Sequence, residues 1–280
     1  MTRVAVLPGG GSRGAWVVGC LSAQSCDYDA VHGVSVGACN GVRLAQYATT
    51  REAVRALELD WLNTSTASVL ASWPAGALSA AVEGSLYSTA PLAALVRRRI
   101  AQRPLIKPMV VHACSLSTGA LTRFELGRNV ERDVRAILAS AAFPGAMPAV
   151  EIDGDLFYDG GLVRVAPLVE ALTEYPTVDA IDVYLCDSPH SPVDLWQPRK
   201  GLAALLRAVT VATHDRARTD LLDAQALWRE LPADTRPEVR IFWPSRQWID
   251  DVMDFAPTLT ERAIRQGRDD GQRGPNEVWL

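Results

Sequence analysis

Ser35 stands in Gly33-Val34-Ser35-Val36-Gly37, a serine with a glycine two positions to either side. That spacing can present a nucleophile. Small residues at both ends let a chain turn sharply out of a strand into a helix. The hydroxyl is then exposed at the turn, beside a helix N-terminus that favours developing negative charge. The same five residues also describe a tight strand-to-helix turn in which the serine only caps the helix. A second candidate is Asp159, followed by Gly160 and Gly161. An acid at the end of a strand-like run is placed either to face a cleft or to cap a helix.

A third constellation is Gly9-Gly10-Gly11-Ser12-Arg13-Gly14, between the apolar run Val4 to Leu7 and a helical start at Ala15. Strand, glycine loop and helix aim backbone N–H groups at an anion. Two uses compete. Gly9, Gly11 and Gly14 satisfy the dinucleotide pattern G-x-G-x-x-G, and Asp29 lies at about the distance of a ribose-binding acid. That acid ought to end the second strand, whereas Asp29 precedes the apolar Ala30-Val31. A Walker A loop is excluded, because no lysine followed by serine or threonine is present. The other use is an oxyanion hole for Ser35, since acyl transfer needs donors preorganised where the tetrahedral oxyanion forms. Neighbouring parallel strands would bring this loop and the serine turn to one sheet edge.

The four histidines are His32, His112, His190 and His214. An α/β-hydrolase triad runs Ser, Asp, His along the chain, so His190 or His214 would be its base. Against that reading, the glycine loop comes too few residues before Ser35 to leave room for a separate, earlier strand–helix crossover plus the strands between.

The elements that must position these residues alternate. Strand signals at Val4 to Leu7, Ala30-Val31, Met109 to Cys114, Ala180 to Cys186 and Val239 to Trp243 are interleaved with helical stretches. This predicts one α/β domain over residues 1–280 with a mostly parallel sheet. Hairpins are expected at Thr118-Gly119 and Asp153-Gly154. Pro91 to Ile100 reads as a helix whose Arg97-Arg98-Arg99 run lies on a solvated face or meets anionic headgroups. Trp61 to Tyr87 is apolar, through Val69, Leu70, Trp73, Leu78 and Val82. It reads as ordinary core, or as a wall for an acyl chain. Hydrophobic residues make up 48% of the 280 and charged ones 21%, which implies a sizeable core rather than disorder. The net charge of −4 does not suggest nucleic-acid binding. Five scattered cysteines with no C-x-x-C point to a reducing, cytoplasmic setting without disulfides or zinc. The apolar start is too short for a signal peptide and no run reaches a membrane span, so membrane contact is expected to be peripheral.

The glycine loop at Gly9 to Gly14, Gly33 to Ala38 around Ser35, and Asp159-Gly160-Gly161 with Pro167 behind together resemble the patatin-like phospholipase family. Ser85 to Leu92, Ser117-Thr118-Gly119 and Ala139 to Gly145 are similar to further blocks of it. The similarity runs from about residue 4 to about residue 172. It implies a three-layer α/β/α fold and lipid acyl hydrolase activity needing neither metal nor cofactor. It also implies a dyad without histidine: Ser35 as nucleophile, Asp159 as base and the loop Gly9 to Gly14 as oxyanion hole. Val34 and His32 depart from the residues usual at their positions.

Overall fold

The computed structural model describes residues 1–74, 84–190, 201–247, 249 and 251–280. A nine-stranded sheet runs through it, in the order β11-β10-β9-β1-β2-β5-β8-β7, with β6 also on β5. The strands are β1 (Arg3–Leu7), β2 (Ala30–Val34), β5 (Met109–Ser115), β6 (Leu121–Glu125), β7 (Val150–Ile152), β8 (Asp155–Asp159), β9 (Ala180–Tyr184), β10 (Glu238–Phe242) and β11 (Glu277–Trp279). A separate two-stranded sheet pairs β3 (Ala71–Ser72) with β4 (Tyr87–Ser88). The central run β10-β9-β1-β2-β5 is parallel, and β6, β7, β8 and β11 add antiparallel edges.

β1, β2 and β9 are buried at every residue, as a parallel sheet covered on both faces requires. Helices α1 (Gly14–Ser22), α2 (Val36–Gln46), α3 (Thr50–Leu62), α4 (Thr66–Val69), α5 (Ala90–Gln102), α6 (Val130–Ala141) and α9 (Pro257–Arg273) enclose one core, built around Trp16, Leu44, Leu57 and Ile137. Helices α7 (Leu168–Glu174) and α8 (Gly201–Glu230) enclose a second core on the opposite face, with Leu168, Ile181 and Trp228. The architecture is therefore three-layered, α/β/α.

Most local expectations hold. Gly119 has φ +70 in its turn, and Asp153 and Gly154 both take positive φ, +53 and +85, in the β7–β8 hairpin. Two positive φ angles give a connection whose twist matches the strands. The arginine run is the exception. Arg97 and Arg98 are exposed, but Arg99 is buried. Leu92, Val96 and Arg99 follow one another at four and three residues, so the helix turns all three inward. In the apolar stretch, Trp61, Val69 and Leu70 are core residues. Leu78 and Val82 lie outside the described residues. Among those described, no helix is long and apolar enough to cross a membrane, and all five cysteines are free.

Candidate active site

Ser35 lies between β2 and α2 with φ 56 and ψ −125, a conformation that side-chain-bearing residues rarely adopt. Such strain costs about 1–3 kcal/mol and persists only where the surroundings impose it. Here the glycines impose it. A Cβ at Gly37 would collide with the carbonyl of Leu7, and one at Gly33 would meet the Ala38 backbone at 2.8 Å. The turn is also pinned from behind. The Ser35 N–H donates to Ser140 Oγ at 2.8 Å, and that hydroxyl donates to the His112 carbonyl at 2.7 Å. Ser140 is fully buried and comes from α6. Sequence reading noted it within a block but gave it no task.

β5 sets Asp159 beside Ser35. One edge of β5 carries β6 along Val110 to Cys114. The other edge is shared by two strands. β2 occupies it up to Val34 opposite His112, and β8 arrives from the opposite direction and ends with Asp159 opposite Ala113. The chain leaves the sheet at Ser35 just where Asp159 comes in. Ser35 and Asp159 line the same cavity, with the Ser35 hydroxyl near enough to favour the ionised carboxyl, and Gly161 N–H donates to Asp159 Oδ1 at 2.8 Å. Asp159 is thus a helix cap and an acid facing a cleft together. Burial pushes its pKa up to about 6, while the Ser35 hydroxyl and the Gly161 amide work against the rise.

The glycine loop follows β1, next to β2, and Gly9 approaches the Ser35 side chain. Four of its six amides are engaged. Gly9 N–H donates to Val165 O, Ser12 N–H to Val252 O, Arg13 N–H to Gly10 O, and Gly14 N–H to Gly11 O. Among the described residues, the Gly10 and Gly11 amides have no acceptor, and both glycines line the cavity wall. The loop is held by distant segments. Arg13 Nε donates to Ile249 O at 2.8 Å, Arg13 pairs with Asp187 at 2.7 Å, and Ser12 Oγ donates to Asp251 O at 3.3 Å. No sequence motif marked Asp187 or Ile249 to Val252.

A cavity of about 540 Å³ opens over Ser35 and Asp159, in the range of small-molecule sites. Trp61, Val69, Leu92 and Leu95 of α3, α4 and α5 give it an apolar wall. Arg13, Asp187, Arg207 and His214 give it a polar one.

Among the described residues, none of the remaining candidates hydrogen-bonds to Ser35. His214 lines the cavity and faces Asp187 at 3.5 Å, with no hydrogen bond to Ser35. His190 packs edge-on against Trp243. His32 and His112 stack on each other, fully buried, with pKa values lowered to about 3, first by burial. Asp29 accepts the Arg3 N–H at 2.7 Å at the start of β1, the sheet end away from the glycine loop. It therefore cannot reach a ribose held there. Among the described residues, no group of three or more His, Cys, Asp or Glu side chains is placed to hold a metal ion.

The sequence profile of the family described as patatin-like phospholipase matches residues 5–172. No curated protein matches the chain. Among the solved structures that do is the crystal structure of VipD from Legionella pneumophila, 13% identical with a TM-score of 0.45. That alignment covers 97% of this chain, which spans 66% of the length of the other.

Proposed function

Because the chain belongs to the patatin-like phospholipase family, we propose that it cleaves fatty acyl esters of lipids through a serine acyl-enzyme. Ser35 is the nucleophile and Asp159 its base. Ser35 Oγ attacks the ester carbonyl as its proton passes to Asp159. The tetrahedral oxyanion forms against the Gly10 and Gly11 amides, with the N-terminus of α2 adding a favourable dipole. Asp159 then gives the proton to the departing alcohol. Water attacks the acyl-enzyme, passes a proton to Asp159, and the fatty acid leaves as Ser35 is restored. An aspartate in water is a weak base for a hydroxyl. A buried one with a pKa of about 6 is better matched to neutral pH. Any membrane contact in this reading is peripheral.

The observation that carries the proposal is the meeting of the Ser35 side chain and the Asp159 carboxyl in a cavity also lined by two undonated amides. The test is a panel of phospholipids and p-nitrophenyl esters on wild type beside Ser35→Ala, with fluorophosphonate labelling. Hydrolysis and labelling that both disappear in Ser35→Ala support it. A folded wild type that hydrolyses no ester and takes no label overturns it.

A further inference from the structure

Two guanidinium groups share one carboxylate beneath the apolar wall of the cavity. Arg43 grips Asp60 at both ends, Nε to Oδ2 at 2.7 Å and Nη2 to Oδ1 at 3.2 Å. The third donor edge of Arg43 reaches Gln46 Oε1 at 3.0 Å. Arg99 comes second to the same carboxylate. Its Nε stands 3.1 Å from Asp60 Oδ2 without making a hydrogen bond. Among the described residues its two terminal amino groups have no acceptor, although only 9% of the side chain is exposed. Arg99 nevertheless lines the cavity, among Trp61, Leu92 and Leu95. Among the described residues, Arg43, Arg99 and Asp60 therefore leave one positive charge uncompensated in a largely apolar wall.

A guanidinium stays protonated under all ordinary conditions, and a buried cation without a matching anion is expensive. A fold that only needed to fill this space would be better served by an apolar side chain. The fork of two unused amino groups matches a carboxylate or phosphate. Its place relative to the reacting centre is marked by Cys39, one helical turn after Ser35 on α2. Ser35, Cys39, Asp159 and Arg99 all line the one cavity of about 540 Å³, so a ligand that fills it meets both acid and cation.

Resting on the acyl-hydrolase reading, we propose that the substrate brings the missing counter-ion. The ester taken by this site carries a second, anionic group, a carboxylate or phosphate, that docks on the terminal amino groups of Arg99 while the ester carbonyl lies at Ser35. The anion has two chemical sources: the phosphate of a lipid headgroup, or a carboxylate at the far end of the acyl chain.

The test has a binding arm and a kinetic arm. In a Ser35→Ala background, calorimetry compares octyl phosphate, octanoate and neutral octyl glucoside. Both anions are expected to bind about tenfold tighter than the glucoside, and Arg99→Gln should erase that preference. Replacing Arg98, exposed on the same helix, should not. In the active enzyme, the monoacyl ester of glycerol phosphate is compared with monoacylglycerol, and the p-nitrophenyl monoester of octanedioic acid with p-nitrophenyl octanoate. Arg99→Gln should lower kcat/KM for an anionic member about 10- to 100-fold and leave the neutral ones within about threefold. Dependence confined to the phosphate pair identifies the headgroup, and dependence confined to the carboxylate pair identifies the acyl end. If Arg99→Gln does not fold, Arg99→Lys keeps the charge but loses the fork, and should still cost several-fold for the anionic substrate alone. Equal losses for charged and neutral esters, or no anion preference in either arm, overturn the proposal. Absence of all hydrolysis refutes the acyl-hydrolase reading, while the calorimetry decides the anion site by itself.

Discussion

The amide of Ser35 is held by the hydroxyl of Ser140, 2.8 Å away across the layer boundary between the sheet and α6. The same hydroxyl donates to the His112 carbonyl, so Ser140 ties the strained turn to β5. Replacing it with alanine leaves a buried N–H and a buried C=O each short of a partner. Ser140→Ala should lose about 1–3 kcal/mol of stability, and Ser35 should take up a fluorophosphonate more slowly. Denaturant midpoints and labelling rates measure the two effects. Unchanged labelling would mean that the glycines alone fix the turn.

Asp159→Asn should abolish turnover yet stabilise the protein at neutral pH. The folded-state pKa of about 6 lies above the ordinary carboxyl value of 3.8, so the folded state holds this proton more tightly than the unfolded one. The stability contributed by the protonated acid is complete below about pH 4 and is lost as pH rises to about 6. At 1.36 kcal/mol per unit, the cost at pH 8 is at most about 3 kcal/mol. Asparagine removes that cost and can still accept from Gly161. The gain over wild type, followed by thermal or denaturant unfolding, should therefore shrink towards zero near pH 4. A variant no more stable than wild type at pH 8 would contradict the raised pKa. The Ser35→Ala, Asp159→Asn double variant should lose no more activity than either single one.

The pH profile of kcat/KM should rise with an acid limb near 6, because Asp159 accepts a proton only when ionised. A carboxyl titrating there overlaps the range of an imidazole, so the limb alone does not distinguish dyad from triad. Variants do. His190→Ala and His214→Ala should keep most activity and the same limb, since neither side chain hydrogen-bonds to Ser35. A loss in folded His214→Ala as deep as that in Asp159→Asn would transfer the role of base to the imidazole.

The glycine loop is best tested through its tether. Side chains at Gly10 and Gly11 would be tolerated only if neither were close-packed nor at positive φ. Gly11 has φ +56 and abuts the Val252 carbonyl, while Gly10 abuts the Cys186 side chain. Both substitutions would report on folding before chemistry. Arg13→Gln instead loosens the hold on Asp187 and Ile249. It should lower kcat towards the 10²- to 10³-fold typical of a lost oxyanion donor, with KM little changed. A fall in affinity with kcat preserved would make Arg13 a substrate contact instead.

Ser35, Asp159 and the glycine loop were legible in the sequence because each is a local demand. A sharp turn needs glycines at fixed offsets, and loop amides need residues without bulk. Strand–helix alternation likewise declared a covered parallel sheet. What local spacing does not carry is which groups meet across the chain. Val165 and Val252, more than 150 residues away, take the amides of Gly9 and Ser12, while those of Gly10 and Gly11 have no acceptor among the described residues. The pKa of Asp159 depends on burial that exists only after β8 settles on the β5 edge beyond β2. Arg99 reads as one of three surface arginines until α3 brings Asp60 against it. Its spacing from Leu92 and Val96 already put it on the inner face of α5. Only tertiary packing, by removing water and making Arg99 share Asp60 with Arg43, turned that inward arginine into a charge only half matched among the described residues.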